Sequence, residues 1–436
     1  MTSAPLAALE QAIALEPENP MRYRALAAEL RAGGEETDAM AAELAATALE
    51  ARAPLALFNI ATACFQAGRR APAKRWYELA LRLDPAMIEA HRNLAAILER
   101  EGHFAEARRH RDEAYGRQSV FVETAATPTL RVLILAASGY GNVPIDELFP
   151  PATTTRVKWF VEYAQAEDGD RLPPFDIVFN AAGDPDMAGP LPPSVTAFLE
   201  RAGKPLLNPP EAVARTQRDR LPLLLRGIAN IEVPPVIRAA TTQLGDAAFA
   251  ARLAFPLIFR PAGAHGGRGV RLLETPAQLA MADPGEADAC YLTRYRDCRS
   301  PDRYFRKYRV IFVDREPYPY HLAISQHWLV HYFSADMLSP SWKRAEEQRF
   351  LEDPRAALGR KAMAALDAIG RRLDLDFCGI DFALTEDGSV IVFEANATML
   401  VHLRDVPHLF PYKHVHVPRI FAAFAAMLQL RLGRRP

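Results

Sequence analysis

Three glycines, Gly34, Gly68 and Gly102, stand 34 residues apart near the start of the chain, and their neighbours keep the same interval. Ala39, Ala73 and Ala107 repeat in that register, as do Ala46, Ala80 and Ala114, and Leu26, Ile60 and Leu94; Pro17 and Pro85 lie two periods apart. Such an interval constrains the fold strongly, because each repeat has to be one supersecondary unit that stacks on the next. The segment is rich in Ala, Leu, Glu and Arg, so the unit reads as packed helices. The glycine permits the tight turn between them, and the alanines let them approach closely. Three such repeats, with a partial one ahead, can stack into a small solenoid.

This pattern resembles the tetratricopeptide repeat (TPR), and the resemblance implies an α-helical TPR solenoid over residues 1–120. An unrelated Ala-rich helical bundle is the alternative. Solenoids of this kind usually offer a concave face to a peptide or protein partner, an implication of fold alone.

Past residue 120 the pattern changes. Short β-rich apolar runs at 130–137, 156–163 and 175–180, separated by Pro- and Gly-rich loops and a helical segment at 194–201, predict a small parallel α/β domain over 128–225. Ligands of open α/β sheets sit at the carboxyl ends of strands, which makes 138–142 and 180–186 candidate binding loops. Ordinary turn chemistry explains each of their Gly, Asn and Asp residues equally well.

The chemistry gathers in residues 226–436. A predicted strand at 255–261 leads into a glycine-rich loop, Ala262–Gly269, and then a second strand. A phosphate loop of the Walker type would open a helix, so this one reads as a hairpin lid whose backbone N–H groups can close on phosphate oxygens. His265, Gly266, Gly267 and Gly269 are its candidate residues, with Arg260 at the end of the strand before it. In the strand 305–313, Lys307 and Arg309 are two apart and share a face. Strands at 377–384 and 390–396 flank Thr-Glu-Asp-Gly-Ser, and Asp-Gly is a favoured two-residue hairpin turn. With Asp387 and Gly388 as its centre, Asp381 faces Glu394, and Asn396 lies two positions on along the same face. Two carboxylates buried together call for a neutralising cation, and hard oxygen donors of this kind suit Mg²⁺. A solvated sheet face is the alternative.

Taken in order, these features resemble the ATP-grasp superfamily over roughly residues 130–425. The resemblance implies an α/β + α+β ATP-grasp fold with ATP held between two subdomains, Mg²⁺ on Asp381, Glu394 and Asn396, and Arg309 steadying an acyl phosphate with help from Lys307. Arg220 and Arg260 stand where the family commonly has lysines, and a guanidinium fork does not hold phosphate as an ammonium does. Tyr291, Leu292 and Thr293 match the linker that lines the adenine pocket. The implied reaction is that of an ADP-forming carboxylate–amine ligase: a substrate carboxylate takes the γ-phosphate of ATP, and a nucleophile, most often an amine, displaces phosphate. Its substrates would be small molecules or peptides, the latter recruited by the TPR region. A small-molecule kinase and a catalytically inactive ATP-binding scaffold remain open beside it. His327, His331 and His402 are candidates to shape the acceptor pocket, with a purely structural role as the alternative for each.

Composition excludes little else. With a net charge of −1 over 436 residues, nothing global points to nucleic acid or an anionic membrane. Cys64, Cys290, Cys298 and Cys378 include no C-x-x-C pair, so neither a zinc site nor a disulfide framework is expected. The apolar stretch 420–430 is too short to span a bilayer, and no secretory signal is evident, so a cytoplasmic location is expected.

Overall fold

The computed structural model describes residues 4–187, 189–244, 253–264, 266–285 and 287–433, and it forms two compact units, Met1–Ser119 and Val120–Pro436. In the first unit the described residues form seven helices: α1 (Ala4–Leu15), α2 (Pro20–Ala32), α3 (Glu36–Glu50), α4 (Pro54–Gln66), α5 (Arg70–Leu83), α6 (Ile88–Glu101) and α7 (Phe104–Arg117). Gly34, Gly68 and Gly102 fall between α2 and α3, α4 and α5, and α6 and α7, each in the left-handed region at φ 82°, 76° and 88°. A side chain there would be strained, so the glycine period is a turn period. The two alanine series, Ala39/Ala73/Ala107 and Ala46/Ala80/Ala114, are fully buried on the second helix of each pair. Trp76, Tyr23 and Tyr77 fill the core around them.

In the second unit the described residues form three sheets. Strands β1 (Val120–Glu123), β2 (Leu130–Ala136), β3 (Thr154–Phe160), β4 (Ile177–Asn180) and β5 (Leu206–Leu207) form the first, in the order β1-β3-β2-β4-β5. β2 runs parallel to β3 and β4, and β5 parallel to β4, while β1 adds an antiparallel edge. This sheet begins at Val120, ahead of the expected domain start at 128. Its edge strand is four residues long, too short for its alternation to be read from sequence.

The second sheet contains β7 (Val236–Ala240), β8 (Leu257–Pro261), β9 (Arg271–Leu273) and β10 (Ala289–Arg294) in the order β7-β10-β8-β9, all antiparallel. The glycine-rich loop joins β8 to β9 as a hairpin. The third sheet contains β6 (Ile231–Glu232), β11 (Phe305–Val313), β12 (Glu316–Ser325), β13 (Phe377–Leu384) and β14 (Val390–Asn396), ordered β12-β11-β13-β14-β6. β12 sits at the edge, where Pro317 and Pro319 remove no central ladder bond. The helix Pro354–Leu373 packs on this sheet so tightly that a Cβ on Gly370 would come within 2.1 Å of the Arg315 carbonyl.

Candidate functional site

Four neighbouring strands of the third sheet bring four polar side chains into one row. His321 on β12 pairs with Arg309 on β11, Arg309 with Asp381 on β13, and Asp381 with Glu394 on β14. At about 4.8 Å between strands, the row extends about 14 Å. Two β-bulges set it. The β11–β12 register shifts between Arg309 and Val310, and the β13–β14 register shifts between Asp381 and Phe382. Each bulge therefore flanks the row itself, a placement that re-aims side chains beside functional sites.

Asp381 does face Glu394, but not through the turn expected. Thr385 N–H donates to the Ser389 carbonyl and Gly388 N–H to the Thr385 carbonyl, closing a three-residue loop with Gly388 at φ 77°. That loop offsets the pairing by one residue, and the extra residue Phe393 in the bulge restores it.

Asp381 is 2% exposed and accepts from Arg309 twice, Nε at 2.6 Å and Nη2 at 2.9 Å, and from Lys307 Nζ at 2.9 Å. Glu394 accepts from Arg218 Nη2 at 2.6 Å. Burial alone would disfavour both charges. Arg309, with Lys307, overrides it for Asp381, and Arg218 overrides it for Glu394, so both carboxyls are held below their ordinary range and stay ionised. The sequence argument had a metal ion neutralising this pair; in the structure three side-chain cations already do so. Arg260 lies in the same field. Burial, and then Arg218 beside it, lowers its guanidinium to about 10, and Nη1 donates to the Ala264 carbonyl at 3.4 Å. Arg218, Arg260, Lys307 and Arg309 thus outnumber the two carboxylates, a local balance that favours a polyanion.

This cluster closes one end of a cavity between the second and third sheets. Leu221, Val236, Ile258, Val270, Leu329 and Phe393 line its apolar part. Arg218, Arg260, Lys307, Asp381 and Glu394 line its polar part. An apolar cavity ending in forked and point cations suits an apolar ring attached to phosphates.

Several expected residues land elsewhere. Arg220, offered as a phosphate ligand, is exposed and borders a different cavity beside Asn180 and Gln217. Arg218, two positions earlier in the same Thr216–Arg220 stretch, is the residue that reaches Glu394. Aligning on the last basic residue of that stretch missed it, although Arg218 was there to be read. Thr293 lines this cavity, whereas the Leu292 side chain is buried in the core of the second sheet. Tyr291 is buried and donates its hydroxyl to Asp186, which also accepts from Gln217 Nε2 at 3.1 Å. The 180–186 loop is thereby tied to the second sheet. Gly266, Gly267 and Gly269 adopt φ of 64°, 76° and 68°, and Val270 immediately after them lines the cavity. His265 lies outside the described residues. Asn396 follows Glu394 along β14 opposite Gly379, with its side-chain oxygen accepting from the Thr398 N–H and hydroxyl, both at 2.6 Å.

As a donor set, Asp381 and Glu394, ionised and adjacent, with the Asn396 amide two pairs further on, offer the hard oxygens that suit a divalent cation. Among the described residues no group of three or more His, Cys, Asp or Glu is arranged to hold a metal. The four cysteines are free.

A second, smaller cavity opens at the other end of the row. Lys307 borders both cavities, and Arg309, Tyr320, His321, His331, Tyr332, His402 and Lys413 complete most of the second. His331 and His402, two of the three expected histidines, line it. His327 does not; it is exposed, and its Nδ1 accepts from the Leu329 N–H at 3.2 Å. Behind this cavity, Glu347 is 0% exposed and accepts from Tyr412 at 2.6 Å, Tyr332 at 3.0 Å and the Leu322 N–H at 3.1 Å, with Lys413 Nζ at 3.5 Å. Nothing in the sequence spacing signals this network, since its members lie as far apart as 322 and 413.

No family model matches the chain. Among solved structures it is similar to the D-alanine–D-alanine ligase of Bacillus anthracis complexed with ATP, at 15% identity over 70% of this chain and 99% of that one, with a TM-score of 0.43. It is also similar to a RimK-domain ATP-grasp protein from Sphaerobacter thermophilus, at 19% identity over 67% and 98% and a TM-score of 0.41. A third likeness is to the carboxyaminoimidazole ribonucleotide synthase of Aspergillus clavatus complexed with ATP, at 15% identity over 62% and 70% and a TM-score of 0.40.

Proposed function

We propose that the second unit is an ATP-dependent ligase of the ATP-grasp type. It transfers the γ-phosphate of ATP to a substrate carboxylate and passes the resulting acyl group to a nucleophile, an amine, with release of ADP and phosphate. The observation that carries this reading is the Arg309–Asp381–Glu394 row, ringed by Arg218, Arg260 and Lys307, at the polar end of an apolar cavity between the second and third sheets.

In this reading the apolar cavity takes the base, and the cations orient and neutralise the phosphates. Catalysis is then positioning and charge stabilisation, and no side-chain nucleophile is needed. Asp381, Glu394 and Asn396 would hold Mg²⁺, which would supply positive charge to offset that of the phosphates. Arg309 lines the second cavity, holds Asp381 of the first, and is the group to steady the transferring phosphoryl. The helical unit, in the same reading, is a TPR solenoid that recruits a peptide or protein substrate.

The test is ADP release in the presence of ATP, magnesium and a panel of amino acids and short peptides. Wild type is expected to show carboxylate-dependent release. Glu394→Gln is expected to lose it by on the order of a hundredfold or more, the scale seen when one preorganised charge contact is removed. Undiminished turnover in that variant would remove the assignment.

A further inference from the structure

We infer that the second cavity is the acceptor-amine site and that His321 takes the proton the amine sheds; this rests on the ligase reading above. His321 is 7% exposed, lines the cavity, and its Nε2 is buried with no hydrogen-bond partner. A buried ring nitrogen without a partner is a free-energy loss that a native core ordinarily avoids, and one lining a cavity is relieved when a donor arrives.

The ring is held in place to receive it. His321 stacks on Tyr332 at 4.7 Å between centroids and lies 5.0 Å from the Tyr320 ring. Tyr332 is fixed in turn by the Lys413 ammonium at 2.5 Å and by Glu347, and the Tyr320 hydroxyl accepts from the His402 N–H at 3.2 Å. Supporting contacts of this kind preorganise a reacting group. His321 is also the register partner of Arg309, the residue placed at the phosphoryl group, so an amine at Nε2 would stand beside the activated carboxyl.

The groups around His321 keep it neutral and able to accept. Burial lowers its basicity first, followed by Arg309, Lys413 and Lys307, while Asp381 acts in the opposite sense. His331, His402, Asp405, Tyr320 and Tyr332 complete the surroundings. Bound phosphates would offset the positive charge of Arg309 and Lys307 and raise the basicity of the ring at the step that needs it. In that step a neutral amine forms the C–N bond to the acyl carbon, the C–O bond to phosphate breaks with its electron pair going to the phosphate, and the proton leaving nitrogen goes to Nε2.

The cavity volume of about 160 Å³ on the nucleotide side falls to about 80 Å³ here, so the second cavity encloses an amine head rather than a whole peptide. Phe333 and Leu400 at its border are exposed and apolar, and Asp405 and His402 supply polar contacts. The acceptor class is accordingly a primary amine on an apolar or aromatic body.

Hydroxylamine separates the two halves of the reaction, because it traps an acyl phosphate as the hydroxamate without needing a protein base. Wild type, His321→Gln and His321→Phe are assayed with ATP and the amino-acid and peptide panel, once with hydroxylamine and once with phenylalanine amide as the acceptor. The expected result is hydroxamate formation by all three proteins, which also shows that the variants fold. Amide formation should be slower in both variants by on the order of a hundredfold, the usual contribution of a general base, with the deficit shrinking as pH rises and the free amine becomes abundant. Equal loss of hydroxamate and amide, or undiminished amide formation, overturns the role of His321 and leaves the ligase reading standing. Absence of hydroxamate from wild type across the panel overturns both.

Discussion

At the residue scale, two arginines that differ by two positions separate a sequence alignment from a folded site. Arg218 reaches Glu394 at 2.6 Å, whereas Arg220 is exposed beside a different cavity. Arg218→Ala removes the cation in direct contact with the half-buried Glu394, with Arg260 and Lys307 still in its field, and is expected to destabilise by about 1–3 kcal/mol. Arg218→Lys keeps the charge and is the cleaner probe: ATP affinity is expected to fall about tenfold or more as the fork is lost. Arg220→Ala is expected to change stability by no more than about 0.5 kcal/mol and leave ATP affinity as it is. Equilibrium titration of the two variants with ATP checks the pair. Most of the site's polar residues could be read individually from the sequence, because Asp381, Glu394, Lys307, Arg309 and Arg260 interrupt otherwise apolar strands. His321 could not, since it sits past a bulge, and Arg218 was passed over for Arg220 because both precede the same four-residue helix and nothing in their spacing ranks one above the other.

At the element scale, strands carried by near-continuous apolar runs were legible to the residue: Phe305–Val313, Phe377–Leu384 and Val390–Asn396 all begin and end as expected. The turns and bulges were not. The Asp-Gly dipeptide suggested a two-residue turn, and the loop has three residues; the Phe393 bulge then returns Glu394 to Asp381. Strand β12 went unassigned because Pro317 and Pro319 argue against a strand until its edge position is known. Gly370 shows how closely its partner helix is fitted. In an exposed helix Gly→Ala would gain up to about 1 kcal/mol from propensity. Here the new Cβ would meet the Arg315 carbonyl at 2.1 Å and the Phe312 ring at 2.7 Å, so overpacking wins. Gly370→Ala is expected to destabilise by about 1–3 kcal/mol, read as a lowered midpoint in chemical denaturation.

At the scale of the whole molecule, the 34-residue period announced a helical unit with glycine turns and buried alanines, and those positions behave so in Met1–Ser119. Among the described residues no helix is long and apolar enough to cross a membrane. The period did not announce a histidine pair inside that unit. His91 Nδ1 and His110 Nδ1 lie 2.8 Å apart, and burial, then His91, pulls His110 from 6.5 down to about 4. Below pH 6.5 the unfolded chain takes up a proton at His110 that the folded unit refuses, so stability present above that pH is lost progressively as pH falls toward 4. Thermal melts of the full chain across pH 7 to 4 should show this decline, and His110→Gln should flatten it.

The account stands on one cluster of cations recognising the phosphates of a nucleotide. Calorimetric titration with ADP and with adenosine tests that directly, on wild type and on Lys307→Met with its partner Asp381 retained. ADP is expected to bind wild type and to weaken at least tenfold in the variant, while adenosine, which lacks phosphates, binds both alike. Equal losses for ADP and adenosine, or no ADP binding to wild type, would contradict it.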